Sequence, residues 1–192
     1  MGKRFFIGVD EVGRGALAGP LVVAAVAFQG SPPRVPLWNA EDSKALTASR
    51  REVIAEQLRA HSRVRYALAG VGNRTIDQIG IGKAASLAVS AALTKIQRTI
   101  GAAVPFVLLD GGLVAPAHFS QLTVIYGDVQ LAVIAAASII AKVHRDRLME
   151  AQHEYFPQYH FAAHKGYGTA GHYAALRRHG PSPLHRRTFR LA

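Results

Sequence analysis

Phe5-Phe6-Ile7-Gly8-Val9-Asp10-Glu11-Val12-Gly13-Arg14-Gly15 decides the reading of this chain. Phe5–Val9 is a short apolar run of the kind that forms a buried strand. It stops at two adjacent carboxylates, and a glycine-flanked arginine follows at once. Ionised carboxylates at the tip of a core strand are costly unless a cation or a dense hydrogen-bond network compensates them. Val9-Asp10-Glu11-Val12 is not a turn sequence, so turn formation does not account for the pair. The stretch is built to hold a metal ion beside something anionic.

Outward from it, the chain has 192 residues, 49% of them hydrophobic, enough for one core. A single domain over 1–192 is expected, with a catalytic core to about residue 156 and a basic helical region over 157–192. The formal charge of +11 favours an anionic partner, a nucleic-acid backbone before others. That charge is uneven: residues 142–192 carry 9 of the 23 Lys and Arg but only 3 of the 12 Asp and Glu. With no cysteine, disulfides, thiolate zinc sites and Cys nucleophiles are excluded. Lys3-Arg4 stands too close to Asp10 for a signal sequence, and the longest apolar run, Leu131–Ala141, is too short for a bilayer. A cytoplasmic protein is expected, with no membrane partner and no secretory route.

Two β-like runs, Phe5–Val9 and Leu21–Phe28, flank the Gly-rich segment Gly13–Pro20, and Gly30–Pro36 must be a loop. Ser49–His61 has helical spacing, Arg63–Val71 alternates as a strand, and Asp77–Ile100 is a long amphipathic helix weakened early by Gly80 and Gly82. Pro105–Leu109 is a buried strand ended by Asp110-Gly111-Gly112. Leu122–Tyr126 is a fifth strand ended by Gly127-Asp128. Leu131–Tyr155 and about Ala170–Arg178 close the chain as helices, the last stopped by His179-Gly180-Pro181. The order β-β-α-β-α-β-β-α-α makes the chain a mixed α/β domain with a helical C-terminal extension.

Asp10, Glu11 and Asp110 each stand where an apolar run ends, and Asp128 follows another. If the strands of Asp10 and Asp110 are neighbours, their carboxylates meet at one sheet edge. Hard divalent cations such as Mg²⁺ take oxygen ligands from a few carboxylates and leave room for water and phosphate. Two such ions suit phosphodiester cleavage. Asp110-Gly111 and Gly127-Asp128 are also ordinary turn pairs, so neither aspartate alone decides the matter. Gly13-Arg14-Gly15-Ala16-Leu17-Ala18 matches a permissive dinucleotide fingerprint, but Gly19-Pro20 and a β-rich run follow where a helix is required. Gly82-Lys83-Ala84 lacks the rest of a phosphate-binding loop. His160 and His164 have zinc-like spacing without an accompanying Glu. Neither an organic cofactor nor zinc is expected.

Asp10-Glu11-Val12-Gly13-Arg14-Gly15, Asp42-Ser43-Lys44, Asp110-Gly111, Gly127-Asp128, Ala136-Ala137-Ser138-Ile139-Ile140-Ala141-Lys142, Arg145-Asp146, His164-Lys165-Gly166-Tyr167 and His185-Arg186-Arg187 together resemble bacterial ribonuclease HII, the type 2 ribonuclease H family. The resemblance runs from about residue 5 to 189. It implies an RNase H-like α/β fold, a five-stranded mixed sheet flanked by helices. It also implies an endoribonuclease that cuts the RNA strand of RNA–DNA hybrids, and 5′ to single ribonucleotides in duplex DNA, using Mg²⁺ or Mn²⁺; a monomer is expected. The family's four catalytic, metal-binding acids fall on Asp10, Glu11, Asp110 and Asp128. Its junction-sensing loop falls on Gly13, Arg14 and Gly15, and its junction tyrosine on Tyr167. Ser43, Lys44, Ser138, Lys142 and Lys165 would grip phosphates, contacts that position a duplex without reading it. Glycines at 13 and 15 suit close approach of backbone to a 2′-hydroxyl, the group that separates RNA from DNA. Gly80, Tyr126, Ala45 and Gly112 depart from the family pattern, where Asn, Lys, Lys and Asn are usual. None of them removes a catalytic acid. A non-catalytic hybrid-binding protein on the same fold is the alternative.

Overall fold

The computed structural model describes residues 5–30, 46–101, 103 and 105–191. Five strands form one mixed sheet: β1 (Phe5–Val12), β2 (Leu21–Gln29), β3 (Val64–Val71), β4 (Phe106–Asp110) and β5 (Ser120–Val124). Their spatial order is β3-β2-β1-β4-β5. The first three pair antiparallel, and β4 lies parallel between β1 and β5. β2 is an interior strand closed on both faces, and its near-continuous Val and Ala run reflects that double burial.

Strand alternation sorts the side chains into two cores. Ile7, Val9, Val23, Ala25, Val107 and Leu109 pack on helix α3 (Ile81–Ile100) through Ala88, Leu93 and Ile96. Ala24, Val26 and Phe28 face the other way, onto α1 (Ala48–Ala60) and α5 (Ala132–Tyr155). Gly8 is what lets α5 lie so close to β1. A Cβ there would stand 2.0 Å from the Val133 carbonyl oxygen. The carboxyl end of β1 is thereby held against the first turns of α5, where the site lies.

Four boundaries differ from expectation. β1 runs on through Asp10 and Glu11 to Val12, because the antiparallel register continues from Asp10↔Ala24 to Val12↔Val22. The acids are paired residues within the strand, with Val12 beyond them, not a feature past its end. The helix expected over Asp77–Ile100 is two, α2 (Asn73–Ile79) and α3, broken at Gly80 with φ 80° and ψ 155°. β5 is shifted toward its N-terminus: Ile125 and Tyr126 are largely exposed, and Tyr126 is left-handed at φ 54°. A short helix, α4 (Gly127–Gln130), then begins where only a turn was expected.

Beyond α5, a 3₁₀ turn (Pro157–Tyr159), a short helix α6 (Phe161–His164) and α7 (Ala170–His179) form the C-terminal region. It has its own apolar cluster, in which Tyr159, Phe161, Ala175 and Leu176 meet Leu17, Ala18 and Met149. The region is therefore packed onto the Gly13–Pro20 segment, and an isolated bridge pairs Ala18 with His185. Among the described residues, no helix is long and apolar enough to cross a membrane.

Candidate active site

β1 and β4 are parallel neighbours with Val9 opposite Leu109. Asp10 and Asp110 are the next residues on each strand. Both fall on the α5 side, since Val9 and Leu109 belong to the α3-facing core. The expected meeting of these two strand ends at one sheet edge is what the register produces. Asp10 is buried, and its carboxylate takes hydrogen bonds from the Glu11 amide at 2.7 Å and from the Ser138 hydroxyl. Burial, with the Asp110 and Glu11 carboxylates nearby, pushes the Asp10 carboxyl up to about 8 against those hydrogen bonds. Without a cation, this acid holds its proton near neutrality.

Asp110 Oδ1 accepts the Gly127 amide at 2.7 Å and the Asp128 amide at 3.4 Å. The left-handed turn at Tyr126 aims those amides at β4 and brings buried Asp128 to the same edge. Glu11, next to Asp10 along a pleated strand, starts toward the opposite face. Arg14 Nη1 binds its Oε1 at 3.2 Å, while Oε2 is buried with no hydrogen-bond partner. Burial raises the Glu11 carboxyl above its ordinary value, and Arg14 opposes that rise. Among the described residues, no three carboxylate or imidazole side chains form a closed metal cage. The pleat separates Glu11 from Asp10, and Asp110 is turned toward the amides of α4. The donor set nonetheless fits a hard divalent cation: all-oxygen, largely buried, proton-loaded at Asp10, and with one orphaned carboxylate oxygen at Glu11.

Beside the acids, Gly13 follows β1 with φ 86°, and a Cβ there would stand 2.2 Å from Arg145 Nε. Its amide donates to the Tyr167 hydroxyl at 3.1 Å, across 154 residues of sequence. Tyr167 is half-buried, its ring 5.3 Å from the Arg145 guanidinium and 5.9 Å from Lys142 Nζ. The loop and the tyrosine named from the sequence are thus brought together, and the tyrosine hydroxyl rests on the loop. Gly15 is exposed, with nothing near the place a Cβ would take.

The residues expected to grip phosphate are otherwise occupied. Ser138 is engaged with Asp10. Lys142 pairs with Asp146 at 2.8 Å and Lys165 with Glu150 at 2.7 Å. Ser43 and Lys44 lie outside the described residues. His164 serves structure rather than zinc: its Nε2 lies 2.7 Å from the Tyr159 carbonyl and its Nδ1 accepts the Gly166 amide, while His160 is exposed.

Two residues carry more of the site than the sequence reading assigned them. Arg145 and Arg186 are both fully buried. Arg145 donates to the carbonyls of Pro20, Ala18 and Lys165. Arg186 donates to those of Gly13, Arg14 and Gly19. A signal for Arg145 exists: it stands four residues from both Ala141 and Met149, on the buried stripe of α5. Nothing in the local sequence marks Arg186 as buried.

The fold is that of the type 2 ribonucleases H. The ribonuclease HII of Archaeoglobus fulgidus, solved as a complex with PCNA, superposes with a TM-score of 0.80 at 24% identity, covering 99% of this chain and 96% of that one. Ribonuclease HII of Acidothermus cellulolyticus is 46% identical over 185 residues, which is 95% of this chain and 57% of that longer protein. The Caldanaerobacter subterraneus ribonuclease HII is 40% identical over 188 residues, 98% of this chain and 75% of its own length. The family model "Ribonuclease HII" matches residues 7–192, and the chain belongs to that family. It is a hydrolase, a nuclease directed at the RNA of RNA–DNA hybrids.

Proposed function

We propose that the chain incises duplex DNA on the 5′ side of a single embedded ribonucleotide, as well as the RNA strand of longer hybrids, leaving 3′-hydroxyl and 5′-phosphate ends. The observation that carries this reading is the bond from the Gly13 amide to the Tyr167 hydroxyl, two residues beyond the β1 acids. It joins the loop and the tyrosine into one recognition corner beside the carboxylate edge. Asp10, Asp110, Glu11 and Asp128 would hold Mg²⁺ or Mn²⁺, which when bound supplies an activated water and charge stabilisation for the departing 3′-oxygen. Ser138 and the Glu11 amide orient Asp10, and the amides of α4 orient Asp110. Lys142 and Lys165 would exchange their present carboxylate partners for substrate phosphates.

The second reading, a hybrid-binding protein without catalysis, leaves the burial of Asp10 and Asp128 beside Asp110 unexplained, because carboxylates facing phosphate weaken binding. The test is an incision assay on end-labelled duplexes carrying one ribonucleotide, a uniform RNA–DNA hybrid, or DNA alone, with and without Mg²⁺. Metal-dependent incision at the ribonucleotide is expected. Asp10→Asn should abolish it while affinity stays within several-fold. Near-normal turnover in that variant overturns the role of Asp10, and tight binding without any incision favours the second reading.

A further inference from the structure

We infer that Arg186 and Arg145 are positioning residues for ribonucleotide recognition: they turn the carbonyls of the Gly13–Pro20 segment inward, so that the loop meets the 2′-oxygen with amide donors. This rests on the reading of the chain as a ribonuclease acting at single ribonucleotides. Burying a guanidinium is expensive, and a buried charge is ordinarily paired with a carboxylate. Here two are buried side by side, and among the described residues neither forms an ion pair. Their compensation is backbone oxygen. Arg186 Nη2 reaches Gly13 O at 2.7 Å and Gly19 O at 3.0 Å, its Nη1 reaches Arg14 O at 2.9 Å, and its Nε reaches Gly19 O at 3.1 Å. Arg145 Nε reaches Pro20 O at 2.9 Å and its Nη2 reaches Ala18 O at 3.1 Å. The Arg186 amide donates to Leu17 O at 2.8 Å.

The consequence is a loop with polarity. The carbonyls of Gly13 and Arg14 point at Arg186, while the amides of Arg14 and Gly15 have no intramolecular acceptor among the described residues. The Gly13 amide is spent on Tyr167, whose oxygen, having accepted, keeps its own proton to donate. Successive outward amides form a concavity suited to an acceptor oxygen. A planar fork with five donors can hold several carbonyls at once. A lysine ammonium in its place is a point charge without that geometry. Arg186 also ties the loop to the C-terminal region, since it follows directly on His185, which bridges to Ala18.

Two measurements test this. In the Asp10→Asn background, expected to bind without cutting, dissociation constants are compared for duplexes with one ribonucleotide and with DNA alone, for Arg186→Lys and for Arg145→Lys. Each replacement should lower the ribonucleotide-to-DNA affinity ratio about tenfold, the worth of one well-placed hydrogen bond, with affinity for all-DNA duplex little changed. A merely structural role would lower both affinities together, and that result overturns the inference. Should either variant fail to fold, ¹H–¹⁵N spectra of the Asp10→Asn protein decide. The Arg14 and Gly15 amide resonances should move downfield with the ribonucleotide duplex and not with the DNA duplex. Equal or absent shifts refute donor recognition. If the protein with Asp10 intact incises no ribonucleotide at all, the functional reading fails instead, and the two failures are separable.

Discussion

Gly13 and Gly15 look equivalent in sequence and are not equivalent in the structure. Gly13 has φ 86° and lies against the Arg145 guanidinium, whereas Gly15 is open to solvent. A left-handed conformation costs an L-residue about 1–2 kcal/mol before any clash. Gly13→Ala should therefore lower the melting temperature and reduce incision at a single ribonucleotide by well over about tenfold, since it also displaces Arg145. Gly15→Ala should leave the melting temperature within a degree or two, an effect of at most about 0.5 kcal/mol, and any activity it loses reports a Cβ in the substrate's space. Thermal melts run beside incision assays check both; equal destabilisation by the two changes would refute the distinction. At this scale the sequence showed that two glycines flank an arginine. Which one the fold requires, and which one a ligand requires, depends on Arg145, more than a hundred positions away.

At the scale of elements, the C-terminal region is tied to Tyr167 by a directional chain of imidazoles. The Ser182 amide donates to His185 Nδ1 at 2.9 Å, and a carbonyl, Tyr167 O, accepts from His172 Nδ1 at 2.9 Å. The 3.0 Å contact between the two Nε2 atoms then has His185 donating and His172 accepting. Both rings must be neutral. Burial, with His172, Arg187 and His164 facing it, pushes His185 down from 6.5 to about 4. The unfolded ring takes its proton near 6.5 and the folded ring only near 4. This stabilisation is thus complete above 6.5 and is lost as pH falls from there through 4. Asp10, raised to about 8, acts in the opposite sense, its contribution being full below 3.8 and lost as pH rises through 8 in the absence of a cation. A global melt would mix the two effects. Amide hydrogen exchange, corrected for intrinsic rate, should instead show residues 159–186 opening faster at pH 5 than at pH 7.5 while β2 stays protected. A uniform response across both regions would refute the imidazole chain. Helical spacing made α5 and α7 legible, but the break at Gly80 and the early end of β5 were not. The first is a positive-φ glycine that periodicity cannot see, and the second follows the left-handed turn at Tyr126.

The whole molecule carries a charge of +11, concentrated in its last quarter. Arg177 and Arg178 stand exposed on the last turn of α7, on the region that packs against the recognition loop. Binding of a hybrid should weaken steeply with salt, log Kd changing with log salt by about 0.9 for each duplex phosphate neutralised. Arg177→Glu with Arg178→Glu should flatten that slope by about 1–2 and leave turnover at saturating substrate unchanged. Fluorescence anisotropy from 50 to 300 mM salt, roughly the range over which phosphate contacts dominate, checks it. An unchanged slope would mean that this face does not meet the duplex. The sequence by itself determined the apolar run that leads into Asp10 and Glu11, the mixed α/β order and the glycine-flanked arginine, because each is written in local spacing and residue type, and the ordered motifs named the four acids by resemblance. Only the tertiary structure decided that β1 and β4 lie parallel, that Glu11 leaves Asp10 across the pleat, and that Tyr167 closes on Gly13. It alone decided, too, that Arg145 and Arg186 hold the loop's carbonyls. A guanidinium's partners are backbone oxygens brought near by folding, and backbone oxygens are the same at every position of a sequence.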